Sequence, residues 1–300
     1  MSVISAPTPI TAVVDTTPRS FLVRFLPRGA PWIPILILLL IIVAAIGGES
    51  IAPQDPNGLN LAAAFRPPFW QAGGSYEYLL GTDNLGRDVF SRIIAGARVS
   101  AIVAVYAIVF SGAIGTMLGI IAGYFGGIVD AVISRIAEIM MAIPSLALAL
   151  IISATMDPGL STVIIVIVLT YWTWYCRIIR SEILSLRERD YILFAKVAGC
   201  GPLTIFFRHL LPNIFNTLLI LMTLQVGQVI IFEASLSFLG LGIQAPNTSW
   251  GLMLADARQY ITYAWWGITM PGSVIMLTCL SSNLIGDWLR DLLDPKRRQL

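Results

Sequence analysis

The residue types that usually carry chemistry are sparse in this chain and stand far apart. His209 is the single histidine and sits beside Arg208, so no imidazole pair can share a metal or relay a proton. Cys176, Cys200 and Cys279 have no ligand spacing, which argues against zinc or haem and for small buried apolar side chains. A phosphate-cradling loop ends in Gly-Lys-Ser/Thr, but Lys196 is followed by Val197 and Lys296 by Arg297. Asp130 and Asp287 fall at the ends of apolar runs, not face to face within them. We therefore expect no catalytic, cofactor-binding or metal-binding residue. The polar residues in informative places are different ones. Arg135 and Glu138 are three apart, one helical face, where they would pair at an interface and fix their helix or take part in translocation. Gln225, Gln228 and Glu233 lie on one apolar run, where they would line a solute path or hydrogen-bond across helices.

The elements that must position these groups follow from composition. Of 300 residues, 57% are hydrophobic and 12% charged, against about 25% charge in soluble domains. A net charge of +2 with no basic patch speaks against nucleic acid. Six runs are long and apolar enough to cross hydrocarbon about 30 Å thick: Pro31–Gly48, Val99–Ala122, Ala131–Thr155, Ser161–Ile179, Ile214–Phe232 and Tyr263–Gly286. Pro144 and Pro271 should kink the third and sixth. Ser111, Gly115, Gly119 and Gly123 recur every fourth residue, the pattern of closely packed membrane helices. The chain divides into a tail 1–30, a first span 31–48, a loop 49–98, a five-span core 99–288 interrupted by a loop 183–213, and a tail 289–300. Thirteen Lys and Arg fall on the side of both tails and loop 183–213, five on the other, so both termini are expected in the cytoplasm.

Loop 183–213 carries the most pattern. Asp190 is placed to cap a helix whose apolar Leu193, Phe194, Val197 and Ala198 have helical spacing, and Gly199 and Gly201-Pro202 should end it. Gly199 would also let two loop helices pack closely at their turn. Spacing alone admits a helix lying on lipid headgroups.

The run Asp190–Pro212 resembles the cytoplasmic loop signature of ABC importer permeases, a Glu-Ala-Ala core, a glycine four residues on, then Leu-Pro. Ala195, Gly199, Leu211 and Pro212 match, whereas Leu193 and Phe194 replace the Glu and first Ala. The blocks Gly81–Arg98, Gly123–Gly127, Ala142–Ser145, Ser237–Gly242, Ser249–Gly251 and Gly286–Pro295 are similar to the dipeptide/oligopeptide/nickel branch, nearest the C-type membrane subunit of dipeptide importers. The resemblance implies an all-α type I importer permease fold in a bacterial inner membrane. It also implies a homologous B-type permease partner, two cytoplasmic ATPase subunits and an extracytoplasmic substrate-binding protein. Coupling to the ATPases would run through Asp190, Leu193, Phe194, Ala195, Lys196, Gly199, Leu211 and Pro212, with Phe194 and Val197 in an apolar socket and Arg189 and Lys196 on its rim. The cargo would be di- or oligopeptides, with nickel, glutathione or another small solute as alternatives. A stand-alone channel or secondary carrier is the competing class, which would need several carboxylates deep in the spans.

Overall fold

The computed structural model describes residues 30–293; the tail through Arg19, Arg24 and Arg28 and the last seven residues lie outside them. All regular structure among the described residues is helical. The long helices are α1 (Trp32–Gly47), α2 (Val89–Phe125), the pair α3 (Gly127–Ala142) and α4 (Ser145–Ser153), α5 (Leu160–Leu186), α8 (Leu211–Phe238) and α10 (Trp266–Leu293). Short helices α6 (Asp190–Val197) and α7 (Pro202–Ile205) lie between α5 and α8, and α9 (Trp250–Ala257) lies between α8 and α10. Among the described residues, five helical stretches are long and apolar enough to cross a membrane, and α3 with α4 makes a sixth if that bent pair counts as one span.

The expected spans are present, but their ends differ. Helix α2 runs 37 residues, about 55 Å at 1.5 Å per residue, and so extends well past the hydrocarbon. Its start is fixed by Asp88, whose carboxylate accepts from the Ser91 N–H at 2.8 Å, so the expected boundary at 98/99 falls inside one helix. Helix α5 continues to Leu186, seven residues past the expected end at Ile179, so Arg180 lies within the helix. Around Ile143-Pro144 the third span turns by 86°. Proline has no N–H to continue the ladder and restricts the residue before it, so α3 stops there and α4 starts afresh. Pro271 lies buried inside α10.

The bundle is organised on α2 against α5. A β-carbon on Gly115 would stand 2.3 Å from the Trp172 carbonyl oxygen, and one on Gly119 would stand 2.7 Å from that of Cys176. One on Gly123 would meet the Ile183 side chain at 2.8 Å. The small-residue stripe thus lets two backbones touch, which in lipid replaces the missing hydrophobic drive by dispersion contact. Behind this seam, Val103, Ala107, Val163, Val166, Ile167, Val229 and Leu236 join a common core with α8, α9 and α10. By contrast α1 buries no residue except at its Gly48 end and turns Ile33, Leu40 and Ile46 outward.

Candidate functional site

Loop 183–213 is almost wholly helical. Helix α6 has apolar side chains on two sides. Ile192 and Ala195 are buried with Ile120, Ile179, Ile183, Ile205, Leu210 and Ile214, which docks the helix on the ends of α2, α5 and α8. Phe194 and Val197 point the other way and are 72% and 87% exposed, with Leu193 and Tyr191 also exposed. Apolar side chains on two sides of a helix need cover on both, and its own chain supplies one. The anchor Ile192 was not singled out in the sequence; the unbroken apolar run Tyr191–Phe194, with no polar face, was the available signal.

Two expectations about this helix change. Asp190 is its first residue, not its cap; Arg189 holds the cap position and no side chain caps the N-terminus, although the acidic group still suits the helix dipole. Gly199 closes the C-terminus with a Schellman motif, its N–H donating to Lys196 O at 3.0 Å and that of Cys200 to Ala195 O at 3.0 Å. Its φ is +80°, and a β-carbon there would meet nothing within 4 Å. Glycine is thus required by the backbone, not by close packing of the two loop helices. Side chains that tolerate positive φ should be accepted best. Gly199→Asn is expected to keep most of the thermal stability of the purified protein and Gly199→Ala less. Gly199→Val should lose it, in line with a left-handed cost of about 1–2 kcal/mol that rises for branched residues. Equal stability for Val and Gly would contradict the role of this turn.

Leu211 and Pro212 lie at the first turn of α8, reached through a π-helical turn Phe206–Leu210 in which the Leu211 N–H donates to the Phe206 carbonyl. The wider turn accommodates a proline that could not continue an ordinary ladder. His209 stands beside the Tyr191 ring, with centroids 6.4 Å apart.

Around α6 the bundle end is braced. Asp130 of α3 forms a bidentate pair with Arg180 of α5, its Oδ2 2.7 Å from Nη2. Arg187 donates to the Gly123 carbonyl at 3.0 Å, satisfying an orphan acceptor at the end of α2. Lys196 Nζ stands 5.1 Å from the centre of the Tyr124 ring, so this side chain ties α6 to α2 as well as lying near the exposed face. Thr217 donates to Glu182 across α8 and α5 at 3.0 Å.

The opposite end holds a second network. Asp83 Oδ2 pairs with Arg87 Nε and Arg92 Nη1, both at 2.6 Å, and both arginines reach Asp256 Oδ2 at 3.3 and 3.2 Å. Arg92 is 2% exposed, so this four-charge cluster rivets the loop before α2 to α9. Trp250 and Trp266 add indole donors to Ile93 O and Thr82 O, each at 2.9 Å.

Glu233 belongs to this end and not with Gln225 and Gln228. It is buried, and its Oε1 accepts from the Ser237 and Ser249 hydroxyls at 2.9 Å each. Ser249 also accepts from the Leu252 N–H, so one carboxylate ties the end of α8 to the start of α9. Gln225 is half-buried and Gln228 exposed, on another side of α8. The three residues therefore do not form one lining.

Among the described residues, a helical bundle with five or six candidate spans, braced at both ends, has the architecture of a multi-pass membrane protein. Residues 115–299 match the family described as binding-protein-dependent transport system inner membrane component. The chain belongs to that family. It is 39% identical over 292 residues to the dipeptide transport system permease protein DppC of Haemophilus influenzae, covering 97% of this chain and 99% of that one. It is 42% identical to the di/tripeptide transport system permease protein DppC of Pseudomonas aeruginosa, over 87% of this chain and 86% of that one. The oligopeptide transport system permease protein OppC of Bacillus subtilis is 37% identical over 94% and 90% of the two chains. A chain of the inward-facing MetNI methionine ABC transporter shares the fold, with TM-score 0.55 and 17% identity over 68% of this chain and 97% of that one.

Proposed function

We propose that this chain is the membrane-spanning permease subunit of an ATP-driven importer of di- or oligopeptides, worked by ATPase subunits that dock on α6. The observation that carries the coupling is the double-faced α6, anchored inward by Ile192 and Ala195 and presenting Phe194 and Val197 outward. Its relatives' names support the cargo. The partners are a homologous B-type permease, two ATPase subunits and an extracytoplasmic binding protein. Closure of the ATPases would push α6, and the braces Asp130–Arg180 and Arg187–Gly123 O would pass that push to α2, α3 and α5 as one body. Gln225 and Gln228 on α8 are the path residues in this scheme. Transport of a radiolabelled dipeptide by the four-part complex in proteoliposomes tests it; ATP-dependent uptake is expected, and absence of peptide uptake alongside uptake of another solute would refute the cargo.

The same scheme puts α6 and both termini in the cytoplasm, with 49–88 and α9 outside. An alkaline phosphatase reporter fused after Gln299 is expected to be inactive and one inserted near Asn60 active, since that enzyme needs an oxidising compartment. The reverse pattern would overturn the orientation.

A further inference from the structure

The Arg135–Glu138 pair does not sit where an anchoring pair should. Arg135 Nη1 lies 3.1 Å from Glu138 Oε2, and the two side chains are 76% and 65% exposed. On a soluble surface that would be ordinary. Here the buried residue between them, Ala137, packs on Trp172 and Cys176, in the central turns of the 27-residue α5. The pair therefore lies one to two turns inward from the braced end at Asp130 and Arg180, with Glu138 still within electrostatic reach of Arg180. Helix α3 packs on α2 and α5 by one side only, and Ile128, Val132, Arg135 and Ile139 face away from them. Five residues past Glu138 the backbone breaks at Ile143-Pro144, and no side chain caps the first turn of α4. Hydrocarbon tolerates neither open charges nor uncapped backbone, so this face must meet water or polar groups.

We propose that Arg135 and Glu138 form a station on the translocation path that receives the two charged ends of a zwitterionic peptide. The guanidinium takes the α-carboxylate through paired N–H donors, and the Glu138 carboxylate takes the α-ammonium. In the empty path the two side chains satisfy each other; an exposed pair of this kind is weak, so little opposes its opening. Charged ends are common to all short peptides whatever their side chains, while Val132 and Ile139 offer only non-specific apolar contact. The assignment rests on the reading of the chain as a peptide importer.

The test uses the complete complex in proteoliposomes, with dipeptide uptake and subunit composition read on the same samples. Arg135→Gln and Glu138→Gln are each expected to lower uptake about tenfold, the loss of one charge-assisted contact, with every subunit still co-purifying. The double exchange Arg135→Glu with Glu138→Arg keeps both charges on the face and should recover about half of wild-type uptake. Single variants within twofold of wild type would mean an interfacial anchor and overturn the proposal. Loss of the second permease from the exchanged variant would mean a subunit interface and overturn it too. If the unaltered complex takes up another solute and no peptide, the importer reading falls first and this assignment with it.

Discussion

Phe194→Asp is expected to release the ATPase subunits from the purified complex and abolish ATP-dependent peptide uptake, with the permease still inserted and folded. Phe194 is 72% exposed on α6 and supports nothing in its own chain, so the change should leave the bundle intact. Burying a phenylalanine contributes about 1.5–3 kcal/mol, and placing a carboxylate in the same socket adds a desolvation cost. Phe194→Ala should therefore weaken docking roughly ten- to a hundredfold, and Asp more. Lys196→Ala tests the alternative, a helix held by charge. Its ammonium already rests over the Tyr124 ring, an exposed contact contributing about 0.5–1 kcal/mol, so only a two- to fivefold effect is expected. Raising salt should change little. Co-purification of the ATPases with each variant checks the order. Release by Lys196→Ala but not by Phe194→Ala would show that the basic residues, not the apolar face, make the contact.

Gly115→Val is expected to be the most damaging single change in the bundle. Its first added carbon would stand 2.3 Å from the Trp172 carbonyl oxygen, a backbone atom that cannot step aside without moving α5. Overpacking usually costs about 1–3 kcal/mol, and here both helices would have to separate along the whole seam. The folded fraction surviving detergent extraction should collapse. At Gly227 the neighbour is Cys279 at 3.2 Å, a looser approach, and Gly227→Ala should be far milder. Equal survival of Gly115→Val and the unaltered protein would mean that α2 and α5 do not meet as described.

Much of this architecture is legible in the sequence, because lipid imposes a length and an apolarity that few other environments demand. The six apolar runs, the break at Pro144 and the glycine stripe of α2 all rest on such local rules. What stays hidden is contact between distant residues. Asp130 and Arg180 are separated by 50 positions and Arg92 and Asp256 by 164, and nothing local marks them as partners. Direction is hidden as well. Glu233 shares an apolar run with Gln225 and Gln228, yet two serine hydroxyls, one of them from Ser249 at the cap of α9, turn it inward. Gly199 ends its helix as expected, through a positive φ, but in open space and not at the close helix contact that spacing also allowed. In α6 the helical period identified an apolar surface but not which half of it the chain covers, since Ile192 and Phe194 are equally apolar.

The central claim is that the outward side of α6 is where ATP hydrolysis is coupled to movement of the spans. Site-directed cross-linking tests it most directly, in membranes holding the complete complex. Val197→Cys, 87% exposed in the chain alone, is combined with Cys200→Ser to remove the nearby native thiol. A short bifunctional reagent is expected to join residue 197 to an ATPase subunit, with a yield that changes when ATP is added. Reagent attached at residue 197 with no ATPase adduct, with and without ATP, would show that this side of α6 faces something else and would contradict the account.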